Sequence, residues 1–133
     1  PMPLTAHPTR ALVPQVVPTF QVMRGDGNGN GNGEGCTAKG QCMTCHAEDS
    51  YTRFTQNVKF QIDVRSFDVY ENEGDVSCLY DYLEVDGQSY CGTNGPQGIW
   101  PDSALVWKPG WSVLQGLESS FTICPVSRQP PRP

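Results

Sequence analysis

The sequence predicts an all-β protein, an antiparallel β-sandwich of the jelly-roll kind with an extended N-terminal segment. Three observations carry that expectation. Apolar and polar residues alternate at period two in several short runs, and no window sustains a 3.6-residue period. Turn pairs rich in Gly, Pro, Asn and Asp separate the runs. The 133 residues hold 14 Gly, 12 Pro and 6 Cys. That composition suits one small disulfide-bonded domain in an oxidising, extracellular setting.

The elements follow in chain order. Residues 1–23 form a proline-punctuated leader in which Leu12, Pro14, Val16, Pro18, Phe20 and Val22 share one face of an extended chain. Pro8, Pro14 and Pro18 have the same parity, so as a strand the leader has one edge disabled by missing N–H groups and one able to pair. A solvated polyproline-type leader is the alternative. Residues 24–35, RGDGNGNGNGEG, place Gly at every second position and read as a flexible linker. Residues 36–125 are the expected sandwich body. In it Val58, Phe60, Ile62 and Val64 alternate with polar neighbours, Leu83 and Val85 follow Asp81, and 104–107 and 119–123 are further short strands. Glu73-Gly74-Asp75, Asp86-Gly87, Asn94-Gly95-Pro96 and Lys108-Pro109-Gly110 supply the turns. Residues 126–133 are a Pro/Arg tail. The start at Pro1, with no charged and then apolar leader, reads as a processed or excised product.

Charge divides the chain in the same places. Residues 1–25 carry Arg10 and Arg24 and no acid, and residues 119–133 carry Arg128 and Arg132 and no acid. Between Asp63 and Asp86 lie Asp63, Asp68, Glu71, Glu73, Asp75, Asp81, Glu84 and Asp86 against Arg65 alone. The net charge of −5 is therefore an acidic body between basic tails, which argues against nucleic acid as a partner. No run approaches 18 apolar residues, so no membrane span is expected.

The string SCLYDYLEVDGQSYCG at 77–92 resembles the centre of a CUB domain: a Cys before an aromatic-Asp-Tyr strand, an apolar-acid-apolar run into an Asp-Gly turn, and a closing Cys-Gly. VKFQIDVRSFDVYE upstream and SALVWKPGWSVLQGLESSFTI downstream resemble the neighbouring strands of that family, over roughly residues 50–125. The resemblance implies a CUB-like jelly roll and a Cys78–Cys91 disulfide. That pairing also follows from thirteen residues folded about an Asp-Gly turn. Cys36, Cys42, Cys45 and Cys124 allow three pairings; a Cys42–Cys45 bridge would be redox-labile, which favours Cys124 joined to one of the N-terminal cluster, with Cys36 closing a small loop. Many CUB domains bind Ca2+, and the resemblance implies Asp81 as a ligand, with Glu71, or Tyr70 in strict register, as a looser match. The family's last acid falls at Lys108-Pro109, where none is present. The first half of the domain reads as shortened, which would leave an open groove between strands.

Other motifs carry competing chemistry. Asp26, Asn28, Asn30 and Gly31 reproduce the first half of a calcium loop, but Thr37 stands where a bidentate Glu is needed. Arg24-Gly25-Asp26 matches the integrin-binding tripeptide, a string short enough to recur by chance. Cys42-Met43-Thr44-Cys45-His46 has the C-x-x-C-H spacing of c-type haem attachment, against disulfide cysteines beside a surface His. Cys36, Cys42, Cys45 and His46 are also of zinc-ligand type. Trp100, Trp107 and Trp111 could stack on a sugar or pack a core. No N-x-[ST] sequon occurs, while Thr and Pro in residues 1–19 leave O-linked sugar open. The two histidines and the missing nucleophile and metalloprotease motifs point away from an enzyme.

The functional expectation is a secreted, non-enzymatic structural or adhesive protein acting by association with itself or another extracellular protein. It would assemble head to tail into filaments by adding the leader strand, through Leu12, Val16, Phe20 and Val22, to a neighbour's groove. The alternatives are a monomeric Ca2+-dependent module binding a protein or glycan, and a haem protein through Cys42, Cys45 and His46.

Overall fold

The computed structural model describes residues 16–23, 35–48, 50–71 and 77–127. Their alternating side chains form nine strands and one short helix: β1 Phe20–Val22, β2 Cys36–Lys39, β3 Cys42–His46, β4 Thr52–Gln56, β5 Ile62–Asp68, β6 Tyr82–Val85, β7 Gln88–Tyr90, β8 Leu105–Lys108, α1 Trp111–Leu114 and β9 Ser120–Pro125. Two sheets result, with strand orders β1-β4-β8-β6-β7 and β2-β3-β9-β5. Every pairing is antiparallel. The chain is an all-β fold, and its inward residues form one core between the sheets. No helix among the described residues is long and apolar enough to cross a membrane.

Each sheet turns its period-two apolar set inward. Phe54, Leu83, Val85, Leu105 and Trp107 come from one sheet, and Met43, Cys45, Phe121 and Ile123 from the other. Trp107 meets Phe121 edge-on at 5.0 Å and donates its indole N–H to the His46 carbonyl at 2.9 Å, so its one polar atom is satisfied inside the core. The Asp86-Gly87 turn closes the β6–β7 hairpin with φ of 50° and 81°, the pair of left-handed residues that suits right-twisted strands. Asp86 also accepts hydrogen bonds from the Asp102 and Ser103 amides and the Ser103 hydroxyl, which ties the loop before β8 to that turn.

Three local features add to or shift the sequence reading. The alternation from Val58 does not begin a strand there: β5 starts at Ile62. The Asn57 side chain accepts the amides of Thr19 and Val58 and donates to the Val17 carbonyl, and so turns the chain at this point. Second, a four-residue helix, α1, follows the Lys108-Pro109-Gly110 turn, where the sequence shows no helical period. Gly110, at φ 145°, admits the turn, and a distant carboxylate receives the first helical amides. Third, the end of the expected leader, Phe20–Val22, pairs with β4 of the same chain. Phe20 is only 2% exposed, edge-on to Phe54 at 5.6 Å and Phe60 at 4.9 Å.

The placement of β1 settles which leader edge pairs. The Thr19 carbonyl accepts the Asn57 amide and the Met23 amide donates to the Arg53 carbonyl, so odd-numbered backbone groups face β4. Even-numbered groups, Pro18 among them, face outward. The edge able to pair is thus used within the chain, and the first half supplies four strands of the sandwich where a groove was expected. Leu12 lies outside the described residues.

All six cysteines are paired, as Cys36–Cys45, Cys42–Cys124 and Cys78–Cys91. The first two join directly opposed residues across β2–β3 and β3–β9 and staple three neighbouring strands of one sheet. In the chain-entropy view, the Cys42–Cys124 bridge, spanning 82 residues, stabilises by about 4.5 kcal/mol, and Cys36–Cys45, spanning 9, by about 2.6 kcal/mol. Replacing both partners by Ser should therefore cost more at Cys42/Cys124 than at Cys36/Cys45. Urea unfolding of the two double variants checks the order, and an equal or reversed order would contradict it.

Candidate functional site

One end of the sandwich gathers the termini of β5, β6, β8 and β9 around α1, and the side chain that organises it is Asp81. It lies just before β6 on the same face as Leu83 and Val85, which directs it inward, and it is fully buried. Its Oδ1 accepts the Trp111 amide at 3.1 Å and the Ser112 amide at 3.2 Å. Its Oδ2 accepts the hydroxyls of Ser112 and Ser119, the latter at 2.8 Å. Ser119 Oγ in turn accepts the Tyr70 amide at 2.8 Å. One carboxylate thus joins β6 to α1 and to the entry of β9, and through Ser119 to the end of β5. Four donors replace the hydration that burial removes from a charged group.

This network places three half-buried aromatic rings side by side. Tyr70 stacks on Trp111 at 4.9 Å with planes 18° apart, Tyr80 lies 4.5 Å from Trp111, and Tyr70 and Tyr80 are 5.8 Å apart. Such pairs contribute about 0.5–1.5 kcal/mol each beyond their buried area. The same segments leave large apolar side chains in solvent: Leu79 is 69% exposed, Leu114 77% and Leu117 42%. Glu71 is half-buried and Glu118 is exposed, and residues 109–119 contain no base. The end is an aromatic and leucine surface with Glu71 and Glu118 at its margin and Lys108, paired with Glu84, beside it.

The expected site residues are distributed as follows. Asp81 and Glu71 lie at this end, and Asp81 accepts from four hydrogen-bond donors within the chain. Where the family's last acid would fall, Lys108 stands. Its ammonium is 3.4 Å from Glu84 Oε1 and lies over the rings of Tyr51 and Tyr82 at 5.7 and 5.5 Å. Burial lowers its proton affinity, but Tyr82, Glu84 and Tyr51 outweigh that and hold it above the ordinary lysine value. Asp26, Asn28 and Asn30 lie outside the described residues. Among the described residues no three His, Cys, Asp or Glu side chains gather as a metal-ligand group. Cys42 and Cys45 have different disulfide partners, so neither sulfur is a thiol that could form a haem thioether, and the same bonds remove them as zinc thiolates. His46 is exposed, 3.4 Å from Glu48. Of the tryptophans, Trp107 is core, and Trp100 and Trp111 are partly exposed.

Of the expected assembly face, Val16 is 62% exposed, while Phe20 and Val22 pack into the core. The aromatic trio and the serines that hold Asp81 were not anticipated. A signal for Asp81 was present: its parity matches Leu83 and Val85, which is the mark of an inward side chain.

Asp81→Asn tests the anchor. An amide keeps one acceptor and turns two N–H groups toward donors, so unfolding stability should fall by about 3 kcal/mol. Exchange at the Trp111, Ser112 and Leu114 amides should accelerate, while β3 and β9 remain protected. Unchanged stability and exchange would show that the carboxylate is not the organising group. Compared with protein-family models, curated proteins and solved structures, the chain matches none.

Proposed function

We propose that this is a secreted, non-enzymatic protein of CUB-like architecture that works by protein association, and that the aromatic end is its contact surface. The observation that carries the reading is the rigid, half-exposed Tyr70–Tyr80–Trp111 cluster beside Leu79 and Leu114. Aromatic side chains fixed before contact lose little entropy on binding, and clusters of this kind are where association energy concentrates. Stacked rings beside exposed leucines suit a macromolecular partner. Three disulfides support an extracellular setting.

Amide exchange of the full chain, compared between dilute and concentrated solution, tests the reading. Protection gained on concentration should fall on Tyr70, Leu79–Asp81 and Trp111–Leu117. Truncating Trp111 to Ala should weaken association about 30-fold, a loss of about 2 kcal/mol. Protection that appears only on other strands overturns the choice of surface. Saturable protection of this end by an added oligosaccharide, with none from concentration, would assign it to glycan binding and overturn the protein-association reading.

A further inference from the structure

We propose that the aromatic end receives the Arg/Pro-rich segment 128–133 of a second copy of this chain, so that copies join head to tail. The proposal rests on the reading of that end as a contact surface and names its occupant.

Topology supplies the first argument. The aromatic end lies where β9 begins, since Ser119 touches Asp81. β9 then runs away from it to Pro125, and Val126 continues in the same direction, its amide bonded to the Gln61 carbonyl at 3.0 Å beside the start of β5. Eight extended residues separate Ser119 from Ser127, about 25 Å. The six residues that follow span at most about 20 Å. Segment 128–133 therefore cannot cover the aromatic end of its own chain, although it can reach that of another. β1 enters at the same far end, where Phe20 pairs with Gln56, and Pro18 and Val126 line one groove there with Gln41 and Arg65.

Chemistry supplies the second argument. Residues 128–133 read Arg-Gln-Pro-Pro-Arg-Pro. Prolines at 130, 131 and 133 favour an extended polyproline conformation with few donors to satisfy, the form in which peptides dock on aromatic surfaces at low entropic cost. Arg128 and Arg132 can lie on the faces of Trp111 and the tyrosines and meet Glu71 and Glu118 at the margin. The surface is aromatic with Glu71 and Glu118 at its margin, and the segment is basic and proline-rich. Ser127, from which the segment continues, lies at the end opposite the aromatic one.

A contact of this kind joins different patches on the two partners. It does not close on itself as a two-fold dimer does, so further copies can add and the product is an open chain.

Complementation between two full-length defects tests this. A chain ending at Ser127 keeps the aromatic end and lacks the segment; Trp111→Ala keeps the segment and lacks the platform. In sedimentation velocity, the intact chain should form a concentration-dependent series of lengthening species, each defective chain should remain monomeric, and an equimolar mixture should give a one-to-one dimer. Arg128→Glu with Arg132→Glu should weaken assembly by at least tenfold, and added salt should act in the same direction. Tyr80→Ser serves as a second platform variant should Trp111→Ala fail to fold.

If the chain ending at Ser127 assembles as the intact chain does, the segment is not the occupant; loss of that assembly in Trp111→Ala would then leave the contact surface standing with another occupant, residues 1–15 being the next to remove. If neither change affects assembly, both readings fall. A monomer at every concentration, or a series that stops at a dimer, overturns head-to-tail joining.

Discussion

The buried carboxylate of Asp81 is the constraint on which the functional end depends. A charge inside a protein must find donors to replace water, and a single strand cannot supply four. The donors come from Trp111, Ser112 and Ser119, thirty or more residues away in sequence. Satisfying Asp81 therefore brings α1 and the start of β9 against the end of β6. A four-residue helix has no stability of its own, and here its first amides are held by a group outside it. Because Trp111 is the first residue of that helix and Tyr70 is fixed through Ser119, the aromatic cluster inherits the rigidity of the network. An apolar surface held this way presents a fixed shape to a partner.

The far end is held by different means. Phe20, Phe54 and Phe60 meet edge-on near the entry of β1, and Cys42–Cys124 binds the start of β3 to the end of β9. Two cross-strand bridges make β2, β3 and β9 one covalent unit, and β9 passes from that unit to the Asp81 network. Dispersion and the Cys42–Cys124 bridge secure the end from which both described chain termini leave, and a hydrogen-bonded charge, with Cys78–Cys91 beside it, secures the other. This difference gives the molecule a polarity that its net charge alone does not express.

Much of the fold was legible because strand periodicity is a local signal. The runs at Leu83–Val85, 104–107 and 119–123 became β6, β8 and β9 with small shifts, and Asp86-Gly87 closed its hairpin. What was illegible depends on partners distant in sequence. The Val58–Val64 alternation is strand-like, yet Asn57 turns the chain by bonding Val17 and Thr19, some forty residues earlier. Pro18 has the outward parity of β1, in keeping with the edge that the leader's prolines disable, but the strand that takes the pairing edge is identified only by the tertiary structure. At the candidate site Asp81 was legible and its hydrogen-bond partners were not: Trp111 and Ser112 lie on a helix too short to show any periodicity, and Ser119 stands at the entry of β9.

The sheet edges explain why association is argued at an end of the molecule. Open strands are the usual route to unplanned pairing, and each outer strand here offers little. Outward groups of β1 share parity with Pro18. The outer edge of β5 is occupied by the 92–99 loop, through Ile62, Val64 and Val69 bonded to Ile99, Gln97 and Gly92. β2 and β7 are four and three residues long, and β2 ends on Lys39. With backbone pairing blunted on the sheet edges, selective contact has to come from side chains, and the most exposed large apolar ones among the described residues, Leu79 and Leu114, stand beside the aromatic rings that Asp81 holds in place.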